Sequence, residues 1–86
     1  MNTNQHSRLN KRILSIVGSH EGIRATELCA VLTSLFLEIE PQSIKLVIIE
    51  MIANHEIIEI EYTLPTGRNE SILLPSGSEF KGTNDQ

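Results

Sequence analysis

The chain carries three histidines, the side chains that most often bind transition metals in proteins. His6 lies in an N-terminal segment, His20 in a predicted turn and His55 at a predicted helix end. A helical zinc site typically uses two histidines four residues apart, whereas His20 and His55 each stand next to a glutamate. We therefore expect exposed loop histidines and no metal site.

The potential nucleophiles lack the neighbours that catalysis requires. Cys29 is the single cysteine, so it has no partner for an internal disulfide, and no histidine close in sequence would activate its thiol. No serine stands in a Gly-x-Ser-x-Gly context, and Gly18 and Gly22 lack the further glycine or lysine of a phosphate-binding loop. Cys29 is interpreted as a small apolar core residue, and neither an enzyme nor a cofactor is expected.

Two carboxylates, Glu59 and Glu61, share one face of a predicted strand and stand about 7 Å apart. Paired carboxylates can perform acid–base chemistry, but these two are predicted to lie on an exposed hairpin without a pocket. We interpret them as a solvated strand face that discourages edge-to-edge aggregation.

The composition describes one small domain. The 86 residues include 7 Lys and Arg against 11 Asp and Glu, the formal net charge is −4, and 40% of the residues are apolar. No apolar run approaches the roughly 20 residues that span a membrane, and the polar start does not resemble a signal peptide. A cytoplasmic location is expected.

Apolar residues spaced three and four apart predict three helices, preceded by a disordered segment at residues 1–7. Proline is favoured at a first helical position, and asparagine tolerates the left-handed conformation of a helix end. The first helix follows from Leu9 and ends near Gly18 or Ser19, and the second begins at 24–26. A connector covers Ser34 to Glu40, and the third helix runs from Pro41 to Asn54 or His55.

After Glu56 the apolar period changes from helical spacing to alternation, which predicts two strands. The first covers residues 58–64, a turn at 65–69 follows, and the chain returns as a second strand at 71–74. The sequence thus predicts a small α+β domain of three helices followed by a β-hairpin.

The folded domain is predicted to cover residues 8–80, with Phe80 packing back onto the body and residues 81–86 forming a polar tail. Its core is expected to be aliphatic, because only three residues of the chain are aromatic. The predicted core consists of Leu9, Ile13, Ile16, Val17, Leu28, Val31, Leu32, Ile44, Val47, Ile48, Met51, Ile52, Ile58, Ile60 and Leu74.

The segment from Gly22 to Leu74 resembles the winged-helix superfamily. The resemblance is carried by Ile23-Arg24-Ala25-Thr26-Glu27-Leu28 at the second-helix entry and by Ile48 to Glu61, where a helix passes through a polar break into an apolar strand. Arg24 stands where such domains often have Ser or Thr, and Asn54-His55 stands where many have glycine. The resemblance implies a winged-helix fold in which the hairpin is the wing.

Winged helices most often bind DNA, with the third helix in the major groove and the wing against the backbone. By this resemblance, the alternative function is a small DNA-binding transcriptional regulator. Acidic residues weaken this hypothesis, because Glu38 and Glu40 precede the third helix and would repel phosphates. Its contact residues would be Gln42, Ser43, Lys45, Arg68, Asn69, Lys11 and Arg12.

A second stripe on the third helix points to protein binding. At 100° per residue, Gln42, Leu46, Ile49 and Ala53 lie opposite the predicted core residues of that helix. The stripe is either buried under the connector around Phe36 and Leu37 or an interface with another protein or a second copy. The leading hypothesis is a non-catalytic, regulatory interaction module that binds protein or itself through this stripe, without a small-molecule ligand.

Overall fold

The computed structural model describes residues 2–20 and 22–77, so Phe80 and the tail at 81–86 lie outside the described residues. The described chain is an α+β fold with three helices and one three-stranded antiparallel sheet. A short strand lies between the first two helices and pairs with the hairpin to complete the sheet. The elements are α1 (Thr3–His20), β1 (Ile23–Arg24), α2 (Ala25–Leu35), α3 (Pro41–Ala53), β2 (Ile57–Thr63) and β3 (Asn69–Pro75).

Helix α1 is longer at both ends than its apolar pattern predicted. It begins at Thr3, inside the segment for which disorder was predicted, and the side chains of Asn2 and Gln5 each accept a hydrogen bond from the other's backbone N–H, at 2.8 and 3.2 Å. This reciprocal arrangement satisfies N–H groups that the first turn leaves unpaired. At the other end, the His20 ring N–H donates to the Ile16 carbonyl at 2.8 Å, and the helix continues past Gly18.

Helices α2 and α3 begin where the sequence predicted. Arg24 is the N-cap of α2 with extended backbone, and its side chain makes no capping hydrogen bond. Pro41 occupies the first turn of α3 after Glu40. At the end of α3 the left-handed residue is His55, with φ of 62°, and Asn54 retains an ordinary φ of −90°.

The sheet has the order β1-β3-β2, and its two faces differ from the predicted assignment. Ile57 and Leu73 are buried on the side that carries the helices, where Ile23 pairs with Leu73. Ile58 and Leu74, which the sequence placed in the core, form a half-buried pair on the opposite face. The predicted core position of Ile60 was wrong for the same reason, because alternate residues of a strand point to opposite faces.

The core lies between the three helices and the inner face of the sheet. Ten predicted core residues are buried there: Leu9, Ile13, Ile16, Val17, Leu28, Leu32, Ile44, Val47, Ile48 and Met51. Val31 is exposed and Ile52 is half-buried, contrary to prediction. The buried residues that the sequence pattern did not identify are Ile23, Phe36, Ile39, Ile57 and Leu73. Within the described ranges, no helix has both the length and the apolar character needed to cross a bilayer.

Candidate interaction surface on the third helix

The outer stripe of α3 is a surface feature. Leu46 and Ile49 are 64% and 60% exposed, while Gln42 and Ala53 at the two ends of the stripe are also exposed. The opposite side of the helix holds buried residues such as Ile44 and is anchored in the core. Helix α3 is therefore buried on one side only, and the stripe lies on its exposed side.

The connector between α2 and α3 does not cover this stripe. Phe36 turns into the core and is buried, and Ile39 is buried with it. Leu37 lies between them and is 84% exposed. The two buried side chains of the connector pack into the core and not over α3, so Leu46 and Ile49 stay accessible to solvent.

A groove of about 540 Å³ runs along the side of α3 that faces α1. His6 from α1 closes one side, and its Nε2 atom lies 3.4 Å from Oε1 of Glu50. The extra turns at the start of α1 carry His6 to this position, so the contact could not be foreseen from a chain whose first residues were predicted to be disordered. The groove is lined by His6, Ser43, Leu46, Val47, Ile49, Glu50 and Ala53.

A second groove, of about 260 Å³, lies on the other side of α3 against α2 and the sheet. Ile49 borders both grooves, so the apolar stripe forms a ridge between two depressions. Partial burial raises the pKa of the Cys29 thiol, and the nearby Lys45 ammonium opposes that rise. The lining residues are Ala25, Thr26, Cys29, Lys45, Ile48, Ile49, Ile52, Glu59 and Leu73.

The predicted DNA-contact residues line several different depressions. Lys45 lies in the groove beside the sheet, and Ser43 lies in the groove beside α1. Arg68 and Asn69 share a depression at the hairpin with the carboxylates of Glu61 and Glu70.

The basic residues of α1 occupy another depression, against the connector. Lys11 and Arg12 line it together with Phe36, whose ring centroid is 5.5 Å from the Arg8 guanidinium. Arg8 also lies 3.8 Å from a carboxylate oxygen of Glu38, which neutralises part of the local positive charge. The seven predicted contact residues therefore do not share a single basic depression.

No constellation suited to metal binding is found among the residues that the structure describes. Glu59 and Glu61 share one face of β2 and are exposed, as predicted, but this is the face that carries the helices and not the face away from the core, where the alternation placed them. The prediction that they lie without a pocket was wrong, since Glu59 lines the groove that Lys45 also lines, and Glu61 lines the depression at the hairpin with Arg68.

No protein-family model, curated protein or solved structure matches the chain.

Proposed function

We propose that the chain is a non-catalytic, regulatory winged-helix module that binds another protein or a second copy of itself through the outer face of α3. Three helices with an antiparallel sheet, the α+β class that the resemblance implies, support the winged-helix assignment at this coarser level. The exposure of Leu46 and Ile49 is the observation that carries the proposed function.

The shape and composition of this ridge suit a protein partner. Two large aliphatic side chains project side by side from a rigid helix, and a concave surface lies on each side of them. Burying a fully exposed Leu or Ile side chain is worth about 1.5–3 kcal/mol, and Leu46 and Ile49, at 64% and 60% exposed, have more than half of that still to gain when a partner covers them. Charged residues at the margins, Lys45 and Glu50, provide a polar rim.

The test is a double substitution, Leu46→Asp with Ile49→Asp, measured by sedimentation velocity over a range of protein concentrations. If the partner is a second copy, the wild-type chain associates and the variant remains monomeric. The control is Leu37→Asp, which introduces a charge at an exposed leucine away from the ridge and should leave association unchanged. Circular dichroism should show the same helical content for all three proteins, because the substituted residues are exposed.

If the wild-type chain is monomeric, a photo-crosslinking amino acid at position 46 tests for a different protein partner in the cells that produce the chain. A discrete crosslinked product at position 46, absent when the same group is placed at position 37, is expected. A monomeric chain that forms no such product, or a double variant that unfolds, would contradict an α3 interface.

DNA binding is the second candidate function, and the exposure of Lys45 and Arg68 favours it. It predicts that the fluorescence anisotropy of a labelled mixed-sequence duplex rises with protein at low salt, with a non-specific Kd of about 10⁻⁴–10⁻⁶ M that weakens as salt increases. Lys45→Ala with Arg68→Ala should abolish this rise, and Leu37→Asp should not. A flat titration would eliminate this candidate.

A further inference from the structure

Strand β2 forms an edge of the sheet, because the order β1-β3-β2 places no other described strand beyond it. Its pairing with β3 is continuous from Ile57 to Thr63. Glu59, Glu61 and Thr63 are all exposed. The open edge of β2 is therefore accessible from Glu59 to Thr63, the part of the strand that extends away from the core.

The hydrogen-bond pattern shows which backbone groups face outward. The Leu64 N–H donates to the Arg68 carbonyl at 2.7 Å, and hydrogen-bonded pairs alternate along an antiparallel ladder. Because every second residue of β2 is hydrogen-bonded to β3 in the same way as Leu64, Tyr62 and Ile60 direct their backbone N–H and C=O groups toward β3. Glu59 and Glu61, in between, direct theirs toward the open edge and present donors and acceptors suited to another strand.

The side chains along this edge differ between the two faces of the sheet. Glu59 and Glu61 project on one face, where their cross-strand neighbours are Leu73 and Ser71. Neither carboxylate makes an ion pair with another residue of the described ranges. An added strand would therefore meet two unpaired carboxylates on this face, with Lys45 in the groove that Glu59 lines and Arg68 in the depression that Glu61 lines.

The other face of the hairpin is aliphatic. Ile60 stands opposite Ile72, Ile58 stands opposite Leu74, and all four side chains are half-buried. An added strand with aliphatic residues at alternate positions would extend this row and bury more of Ile58 and Ile60.

We infer that the β2 edge accepts an extended segment of another protein in which Lys or Arg alternates with aliphatic residues. The basic side chains face Glu59 and Glu61, the aliphatic ones continue the Ile58 and Ile60 row, and the backbone pairs with the outward groups of β2. The segment needs about five residues to match the exposed stretch of the strand. Ile49 of the α3 ridge and Glu59 line the same groove, so the two surfaces adjoin, but the inference does not depend on the function proposed for that ridge.

Self-pairing of two copies centred on this edge would bring like charges together. Antiparallel self-pairing about a two-fold axis centred on Ile60 would place Glu59 of each copy opposite Glu61 of the other, with all four carboxylates on one face. Like charges directly opposite each other destabilise a sheet. The same carboxylates that oppose self-association favour a basic strand.

The test uses a fluorescently labelled peptide of alternating lysine and valine, with anisotropy as the readout. We expect it to bind at least about tenfold more tightly than an isomer in which the same lysines and valines form two blocks. Replacing Glu59→Lys and Glu61→Lys should transfer binding to a peptide of alternating glutamate and valine. The variant Leu46→Asp should retain wild-type peptide binding, because Leu46 lines the groove beside α1 and not the groove that Glu59 lines.

Backbone pairing is tested by N-methylating the peptide on one set of alternate residues at a time. An antiparallel strand directs the N–H groups of its lysines toward β2, so methylated lysines should abolish binding and methylated valines should not. A parallel strand gives the reverse result. Equal binding by both methylated peptides, equal binding by the block isomer, or no effect of the charge reversal would overturn the inference.

Discussion

Tyr62 is the only tyrosine of the chain, and its hydroxyl donates a hydrogen bond across the hairpin to Oε1 of Glu70 at 2.8 Å. This bond is the main reason why the pKa of Tyr62 is raised, and the negative charge of Glu70 contributes to the same rise. The folded chain thus holds the phenol proton more tightly than the unfolded chain. The stabilisation is fully present below the unfolded pKa and is lost as pH rises through the folded pKa.

We predict that Glu70→Gln lowers the pKa of Tyr62. The substitution removes the carboxylate charge that disfavours the phenolate. Because the chain has no tryptophan, the ultraviolet absorbance of the phenolate reports Tyr62 alone during an alkaline titration. The matched control is Glu59→Gln, which removes a carboxylate elsewhere on the hairpin and should leave the midpoint in place. A midpoint that is identical in wild type and Glu70→Gln would contradict the assigned cause.

At the C-terminal end of α3, His55 and not a glycine adopts the left-handed backbone conformation. The His55 N–H donates to the Ile52 carbonyl at 3.0 Å, and the Glu56 N–H donates to the Met51 carbonyl at 2.9 Å. This is the Schellman arrangement, which places one left-handed residue after the C-cap. The Cβ atom of His55 makes this conformation more costly than it would be for glycine.

We predict that His55→Gly raises the free energy of unfolding by about 1 kcal/mol, because glycine adopts a positive φ without the steric cost of a Cβ atom. Urea unfolding followed by circular dichroism measures the change. Asn54→Gly is the control, since Asn54 has a negative φ and gains nothing from glycine. Equal effects of the two substitutions would show that conformational strain at His55 is not the cause.

The three helices could be predicted from the sequence because the spacing of apolar residues identifies the face of a helix that packs into a core. The buried residues of α1 and α3 were identified in this way, and so was the side of α3 that carries Leu46 and Ile49. The first turn of α1 could not be found by this means. It is stabilised by reciprocal hydrogen bonds between Asn2 and Gln5, which leave no apolar pattern.

At the scale of the whole molecule, sequence alternation predicted the strands but not which of their faces meets the helices. Ile57 and Ile58 are adjacent and both apolar, so alternation can begin from either one. The helices cover only the start of β2, where Ile57 is buried, and Glu59 and Glu61 on the same face extend into solvent. The two grooves beside α3 are equally inaccessible to sequence reasoning, because each depends on residues from other elements.

Neighbouring leucines on β3 provide a direct test of this sheet orientation. Leu73 is completely buried against the helices, and Leu74 is half-buried on the opposite face beside Ile58. Leu73→Ala should lower the free energy of unfolding by about 3 kcal/mol, since it leaves a cavity that the packed core fills poorly. Leu74→Ala should cost only about 1 kcal/mol, because a half-buried side chain has less apolar area to lose.

The two leucine variants remove the same atoms from the same strand, so strand propensity and composition are matched between them. Urea unfolding at equal protein concentration therefore compares burial alone, and the slope of the transition should be unchanged in both. If Leu74→Ala proved the more damaging substitution, the helices would pack on the Ile58 and Ile60 face, as the sequence pattern predicted. Glu59 and Glu61 would then lie on the side of the sheet away from the helices, and an added strand at the β2 edge would have to place its basic residues there.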